Sequence, residues 1–210
     1  MTSSRSQTKL ITGLFAALAL FQLIAATPDA SDDHYVPMAE GTTWTMNLQM
    51  TAPDGNVLKG TARRIISKPI EKDGKLYMHS TTSIQPDGLP PQSFTKLARK
   101  DAAGFHSICI FMPEATEELE MPLPLKVGMT WQTQFPTPSK YTVVAKETVA
   151  SEGKTYKDCF KVHMEAKDGS STEDFWEAPD IGTIKSEFTQ NGIKFKLTLL
   201  EYTPGKPPQK

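Results

Sequence analysis

The 210-residue sequence predicts an all-β protein in which an antiparallel meander forms a curved sheet, a half-barrel or a sandwich. Three observations support this prediction: Gly-containing turns punctuate the chain, apolar residues alternate with polar ones between them, and helical periodicity is nearly absent. The best helical candidate, Pro113–Glu120, is long enough for only one or two turns. An internal repeat also suggests that the domain consists of two related halves.

The first 26 residues have the pattern of a secretory signal peptide. Arg5 and Lys9 precede an apolar run, Leu10–Ala26, and the turn-forming Thr27-Pro28-Asp29 follows it. The run has 17 residues, whereas a membrane-spanning helix needs about 20 mostly apolar ones. We therefore expect cleavage after Ala26 rather than retention as an anchor, and a periplasmic or secreted protein.

The remainder of the chain is predicted to comprise a linker (residues 27–36), a single β-domain (37–202) and a disordered tail (203–210). Cleavage leaves 184 residues, which suits one domain with a sizeable core. It also leaves 21 basic against 24 acidic residues, a net charge of −3. Because no basic stripe is available to neutralise phosphates, nucleic acid is not an expected partner. No second apolar stretch approaches membrane-spanning length.

Glycine turns divide the predicted domain into strands. Tight reversals favour Asp-Gly and Asn-Gly because these residues tolerate positive φ. Six glycine turns, five of them Asp-Gly or Asn-Gly and one Glu-Gly, lie at Pro53-Asp54-Gly55, Lys72-Asp73-Gly74, Pro86-Asp87-Gly88, Ser151-Glu152-Gly153, Lys167-Asp168-Gly169 and Gln190-Asn191-Gly192. Strands are predicted at Trp44–Met50, Lys59–Ser67, Leu76–Ser83, Ser93–Arg99, Phe105–Phe111, Tyr141–Thr148, Phe160–Glu165, Thr183–Thr189 and Ile193–Leu199.

One motif occurs twice, 87 residues apart. Pro37–Trp44 and Pro124–Trp131 both read Pro-x-x-x-Gly-x-Thr-Trp. The glycine is expected to bend the chain and deliver the tryptophan to a strand start, where the indole covers one end of the core. A weaker parallel aligns Ile65–Lys68 with Val143–Lys146; chance recurrence of a common turn is the alternative. The predicted structural residues are Gly41, Trp44, Gly128 and Trp131.

Further motifs extend over Met121–Tyr202. They are Pro122–Trp131, Glu147-Thr148-Val149, Gly153–Tyr156, Cys159 and the closing element Trp176-Glu177-Ala178-Pro179-Asp180-Ile181-Gly182. With these motifs the sequence resembles the TapB-like family of exported bacterial proteins of unknown function. The resemblance implies an antiparallel curved sheet related to the half-barrels of periplasmic lipoprotein carriers. It adds Trp176, Pro179 and Gly182 to the turn and strand-start residues, and it implies no catalytic residue.

No motif indicates a catalytic site, a cofactor or a metal. Nucleophile elbows, His-Glu-x-x-His and phosphate-binding or dinucleotide-binding loops are absent from the sequence. The acidic cluster Glu114–Glu120 lacks the spacing of a calcium loop and is interpreted as a solvated loop. Cys109 and Cys159 either form a disulfide or are separate buried thiols. The histidines are scattered over the chain at His34, His79, His106 and His163.

The sequence leaves three function classes open. The first is a non-enzymatic binding or carrier module for an apolar ligand or an envelope protein. The second is a hydrolase or metal-dependent enzyme built from scattered strand residues, and the third is a structural envelope component. Leu200 and Tyr202 share a face with Lys194 and Lys196, which suggests an apolar groove on the second face. A Met- and aromatic-lined interior would favour the carrier, and a convergent His/Asp/Glu cluster would favour the enzyme.

Overall fold

A computed structural model of the chain describes residues 34–112, 115–134 and 137–206. The predicted signal peptide, residues 27–33 of the predicted linker and residues 207–210 of the tail lie outside these ranges. Every regular element of the described residues is a strand, which confirms the all-β prediction. The strands are β1 Thr43–Thr51, β2 Val57–Lys72, β3 Lys75–Pro86, β4 Gln92–Asp101, β5 Gly104–Ile108, β6 Glu118–Pro122, β7 Thr130–Thr133, β8 Ser139–Ser151, β9 Lys154–Ala166, β10 Ser171–Ala178, β11 Gly182–Gln190 and β12 Ile193–Thr203.

The twelve strands form one antiparallel sheet that is nearly closed and barrel-like. Its order is β6-β5-β4-β3-β2-β1-β12-β11-β10-β9-β8-β7. Each half of the chain is therefore a six-stranded meander, β1 to β6 and β7 to β12, and sequence neighbours within each half are also neighbours in space. The halves meet at two junctions, β1 with β12 and β6 with β7.

Side-chain alternation gives this sheet an inner and an outer face. In β11 every second residue from Gly182 to Gln190 is buried, because successive side chains of a strand point to opposite sides. The other face carries ion pairs between strands, such as Lys161–Asp174 (2.7 Å) and Lys196–Glu187 (3.8 Å). Charged rows of this kind are typical of a face in water. The buried face is the inner face, and it holds the core.

The two junctions differ in how they are held. Strands β1 and β12 form a ladder of nine residue pairs from Thr43↔Thr203 to Thr51↔Lys194. Between β6 and β7 the described residues form no ladder. Two bonds cross instead: the Trp131 indole N–H donates to the Glu120 carbonyl (2.6 Å), and the Gln134 amide donates to the Glu118 carboxylate (2.9 Å). Both strands are short, and β6 ends on a proline, which has no N–H for a ladder.

The two halves begin with the same turn. The Gly41 amide donates to the Ile66 carbonyl and the Gly128 amide donates to the Val143 carbonyl, both at 2.8 Å. The Ile66 amide in turn donates to the Thr42 carbonyl and the Val143 amide donates to the Met129 carbonyl, both at 2.9 Å. Ile66 is thus equivalent to Val143, one residue away from the sequence alignment, which had matched Ile65 with Val143. After this turn, β2 and β8 carry different bulges. The difference in residue number between equivalent positions of the two halves therefore does not stay constant.

The acidic cluster is not a solvated loop, contrary to the sequence interpretation. Glu118 and Glu120 belong to β6. Glu117, just before it, accepts two hydrogen bonds of 2.6 Å from the Arg99 guanidinium and one of 2.8 Å from Lys75. These bonds hold the pKa of Glu117 well below its usual range. Cations on β3 and β4 therefore draw the segment onto the outer face and into a strand, which charge spacing alone did not indicate.

The apolar second face predicted for β12 is also wrong, because a β-bulge changes the phase of the strand. Met46 pairs with Leu199 and Thr45 with Glu201, which leaves Leu200 as the extra residue. Tyr202 then returns to the inner face opposite Trp44, with ring centroids 5.7 Å apart. Only Leu200 stays exposed, so no continuous groove forms from these residues.

Residues at both ends of the predicted domain pack against it. Val36, which was assigned to the linker, is 4% exposed and belongs to the core. In the tail, the Gly205 amide donates to the Thr42 hydroxyl (3.0 Å) and the Lys206 amide donates to the Glu40 carbonyl (3.0 Å). A Cβ at Gly205 would lie only 2.5 Å from two carbonyl oxygens of the turn. The chain after β12 therefore covers the first Gly-Trp turn.

Candidate functional site

Flexible apolar side chains gather on the inner face. Six of the nine methionines are buried in one contiguous core cluster with the aromatic residues. They are Met38, Met46, Met50, Met78, Met121 and Met164. Thioether side chains adapt to irregular or variable apolar neighbours better than branched ones do. The sheet thus encloses an apolar interior whose walls can change shape.

One row of inner side chains runs across seven strands of this interior. Cross-strand pairing connects its members in the order Trp131, Tyr141, Met164, Glu173, Phe188, Phe195 and Met50. Trp131 stacks on Tyr141 with centroids 5.1 Å apart, and Phe188 stacks on Phe195 at 4.4 Å. A carboxyl group, Glu173, lies in the middle of this otherwise aromatic and Met-rich row.

Glu173 is among the most deeply buried ionisable groups of the described residues, at 3% exposure. One of its oxygens, Oε1, accepts a hydrogen bond from the Ser186 hydroxyl (2.6 Å), and Ser186 is itself buried. Burial raises the pKa of Glu173 to about 7, because the ionised form loses its hydration. The interior therefore contains an acid that titrates near neutral pH.

Two buried cations lie on the inner face of the first half. The Arg64 guanidinium donates to the Ser80 hydroxyl (2.9 Å) and lies 4.8 Å from the centroid of the Trp44 ring. Burial lowers the pKa of Arg64 to about 10, against the opposing attraction of Glu120 and Glu177. Lys96, on β4, forms an ion pair with Glu120. Neighbouring carboxylates thus compensate the buried positive charges, as burial of charge requires.

The first two turn motifs occupy matching places. Gly41 and Gly128 have φ of +87° and +88°, which L side chains rarely adopt. Three residues later Trp44 and Trp131 enter β1 and β7, both with the indole buried. Their partners differ: Trp44 contacts Arg64 and Tyr202 and donates to the Ile181 carbonyl (2.6 Å), whereas Trp131 stacks on Tyr141. Each indole lies beside a junction between the halves.

The third motif lies apart from the other two. Trp176 is near the end of β10, on the outer face, between Lys185 (4.2 Å from the ring centroid) and Lys161 (5.1 Å). Its indole N–H donates to the Glu147 carboxylate (2.6 Å). Pro179 lies in the turn after β10, and Gly182 begins β11 with φ of +84°. These contacts bury Trp176 against β8, β9 and β11, and the indole is part of the main cluster of buried apolar residues.

The scattered polar candidates do not converge. His163 and His106 lie on the outer face, where they pair with Asp174 (2.7 Å) and Asp101 (2.9 Å), and His34 pairs with Asp180 (3.1 Å) near the start of the described chain. Within residues 34–112, 115–134 and 137–206, no group of three His, Cys, Asp or Glu side chains is placed to hold a metal ion. In the same ranges Cys109 and Cys159 are buried thiols and form no disulfide. No helix of these residues is long and apolar enough to cross a membrane.

Sequence reasoning missed the buried charges of the interior. Arg64, Lys96 and Glu173 were not among the residues that the sequence analysis singled out, because charged side chains are rarely buried. Their positions along the strands could have indicated burial. Each lies an even number of residues from an apolar inner-face residue of its strand, as Arg64 does from Ala62, and therefore points to the same face. Their pairing partners come from other strands, which the sequence alone does not place.

Comparisons with known proteins give no functional assignment. No family model matches the chain, so the resemblance to the TapB-like family stays a prediction, and no curated protein matches it either. Among solved structures, a Bacteroides fragilis protein with a YmcC-like fold, thought to be exported, is 16% identical. It covers 80% of this chain and 97% of its own length, at a TM-score of 0.49.

Two other solved structures are similar at lower scores. A protein of Parabacteroides distasonis, thought to be a lipoprotein, is 12% identical over 82% of this chain and 100% of its own, with a TM-score of 0.41. A Vibrio parahaemolyticus domain, thought to belong to an outer membrane lipoprotein-sorting protein, is 10% identical over 81% and 88%, with a TM-score of 0.35. At these identities and scores, none of the likenesses bears on function.

Proposed function

We propose that this protein is an exported, non-enzymatic binding module that holds an apolar ligand inside its barrel-like sheet. The observation that carries the proposal is the concentration of six buried methionines and the aromatic row on one enclosed face. Thioethers can shift between rotamers to admit a chain of methylene groups, where a core of branched side chains would resist. His106 and His163 lie on the outer face, and His34 lies near the start of the described residues, so these histidines are outside the interior.

The number of strands supports this reading. The diameter of a closed sheet grows with its strand number, and eight strands already leave room for side chains or one small ligand. Twelve strands curve around the interior of this protein. A wide enclosure lined with adaptable side chains suits an elongated apolar guest better than a rigid small molecule.

The β6–β7 junction is the proposed entry. Because the described residues form no ladder there, separating β6 from β7 breaks hydrogen bonds of side chains, such as those of Trp131 and Glu118, rather than a row of backbone bonds. Met121 and Trp131 lie buried directly behind this edge. A ligand that passes between the two strands would therefore meet the apolar interior at once.

Export follows from the N-terminal pattern of basic residues, apolar run and turn. Protein recovered from its native compartment should have an intact mass that corresponds to a start near Thr27. Recovery of the full-length chain in the membrane fraction would contradict this part of the proposal.

Ligand binding is tested with a matched pair of variants. Native mass spectrometry of protein purified from its own envelope should show a co-purifying apolar species, and diphenylhexatriene should compete with it. Met164→Phe, which stiffens the inner wall, should weaken dye binding several-fold while the circular dichroism spectrum stays unchanged. Leu200→Ser alters the exposed bulge residue and should have no effect.

A clear negative result is available. If the protein purifies empty and binds no dye, the interior is a plain core, and a role through the exposed loops becomes the better account. If Leu200→Ser weakens binding and Met164→Phe does not, the ligand lies on the outer face and the proposed site is wrong.

A further inference from the structure

Several buried side-chain oxygen atoms have no hydrogen-bond partner among the described residues, and three of them belong to residues near Tyr141. They are Glu173 Oε2, Glu120 Oε2 and Thr133 Oγ1. Glu173 is 3% exposed and Thr133 is 4% exposed, so both side chains are almost completely buried. Buried polar atoms of native proteins nearly always have a partner. These three atoms therefore indicate a group that the polypeptide itself does not supply.

The residues that carry these atoms all interact with Tyr141, which belongs to the strand next to β7. Tyr141 and Glu173 flank Met164 on the same inner row. Thr133 follows Trp131, the partner of Tyr141, by two residues and so lies on the same face of β7. Glu120 approaches from the opposite edge, where its carbonyl accepts the Trp131 indole N–H. Charges on Glu173 and Glu120 both act on the Tyr141 hydroxyl and help to raise its pKa.

The chemistry of these atoms selects the missing partner. The second oxygen of each carboxylate is occupied: Lys96 pairs with Glu120, and the Ser186 hydroxyl donates to Glu173. What remains are two carboxylate oxygens and a hydroxyl, all able to accept. The described residues provide no group of three ligands placed for a bare metal ion. A donor carried by an organic molecule fits the set, and a carboxylate would be repelled by it.

We propose that the apolar ligand is an amphiphile whose head group donates hydrogen bonds, with an ammonium head preferred over a hydroxyl and a carboxylate disfavoured. This inference rests on the proposed function, because the apolar chain would lie among the inner methionines. The head group contacts Glu173, Glu120 and Thr133 near the proposed entry, and the chain extends along the row toward Phe188 and Phe195. Head and tail are thus recognised by different parts of one interior.

The test is displacement of diphenylhexatriene at pH 8 by dodecylamine, dodecanol and dodecanoate, each below its micelle concentration. Dodecylamine should bind at least roughly tenfold more tightly than dodecanoate, about the effect of one charge-assisted hydrogen bond, with dodecanol between them. Equal displacement by all three would overturn the head-group site and leave apolar binding intact. Tighter binding of dodecanoate would overturn it outright, and no displacement by any would overturn both proposals.

Variants assign the preference to named atoms. Glu173→Gln removes the charge but keeps the shape, and it should reduce dodecylamine affinity about tenfold, to near that of dodecanol. Thr133→Val removes a single acceptor and should give a smaller loss, which provides a second reading if the first variant folds poorly. Glu187→Gln, a carboxylate on the outer face paired with Lys185 (3.1 Å), should change nothing. Retention of the full amine preference in both interior variants would overturn the site.

Discussion

The two junctions between the halves start from the same turn and end in different structures. At the β1–β12 junction, Trp44 packs between Arg64 and Tyr202, and nine residue pairs form a ladder beside it. At the β6–β7 junction, Trp131 stacks on Tyr141 and its indole is one of only two bonds described across the edge. The chain after β12 covers the first turn, and a Cβ at Gly128 in the second would meet nothing within 4 Å.

The same turn therefore begins two junctions, one held by a backbone ladder and the other by side-chain contacts. We call the β1–β12 junction the closed junction and the β6–β7 junction the open junction. The closed junction holds the halves together through backbone hydrogen bonds, which depend little on the identity of the side chains. The open junction depends on side chains, and it lies close to Tyr141, with which Glu173, Glu120 and Thr133 interact. On the proposed function, the closed junction holds the halves together and the open junction gives a ligand access to the interior.

The largest expected effect comes from removing the indole at the open junction. Trp131→Ala should lower the free energy of unfolding by about 3–5 kcal/mol, as truncation of a buried aromatic does. Trp44→Ala should cost a similar amount, but only Trp131→Ala should also accelerate release of bound dye, because only Trp131 bridges β6 and β7. Urea unfolding and stopped-flow dye release measure the two effects. A stability loss below about 1 kcal/mol, or equal acceleration by both variants, would remove the distinction between the junctions.

A somewhat smaller effect concerns the acid behind the open junction. The folded protein holds the Glu173 proton up to about pH 7, whereas the unfolded chain releases it near pH 4.5. The free energy of unfolding should therefore fall as pH rises between these values, and remain lower above pH 7. Glu173→Gln, which does not titrate, should be more stable than the wild type above pH 7 by up to about 3 kcal/mol and should differ little near pH 4.5. Parallel pH profiles for the two proteins would show that Glu173 is not desolvated.

The smallest effect tests whether the two turns are equivalent. Gly41→Ala and Gly128→Ala each force an alanine to a φ near +87°, at a cost of roughly 1–2 kcal/mol. Neither new Cβ would meet a steric clash, since the nearest atom at Gly41 is the Gly205 Cα at 4.0 Å. The two variants should thus lose the same stability in urea unfolding. A neutral Gly128→Ala would mean that the second turn relaxes freely and is not a copy of the first.

Local rules in the sequence predicted much of the fold. Alternation predicted nine of the twelve strands, six of them with one end three to six residues from the observed bound, and gave no bounds for β6, β7 and β10. The repeated Gly-Trp pattern marked both turns that begin the halves. Departures arose where a neighbour from another strand decides the outcome. A bulge opposite β1 returned Tyr202 to the inner face, and cations on β3 and β4 bind Glu117, next to the start of β6, in the segment expected to be a solvated loop.

The candidate site was less accessible to sequence reasoning. A Met- and aromatic-lined interior was stated only as an arrangement that would favour a carrier, and the groove was expected at Leu200 and Tyr202 on the second face. Glu173 and Thr133 gave no signal because a single carboxyl or hydroxyl in an alternating strand is ordinarily solvated. Their significance arises only from burial without a partner, which depends on how both halves of the sheet close around them.

The central claim is that the interior binds an apolar chain, and its most direct test is crystallographic. Crystals of the mature protein soaked with 12-bromododecan-1-ol should show an anomalous bromine signal inside the sheet, near Met164, Phe188 and Phe195. A signal confined to the outer surface around Leu200, or no ordered bromine in a protein that is otherwise intact, would contradict the account.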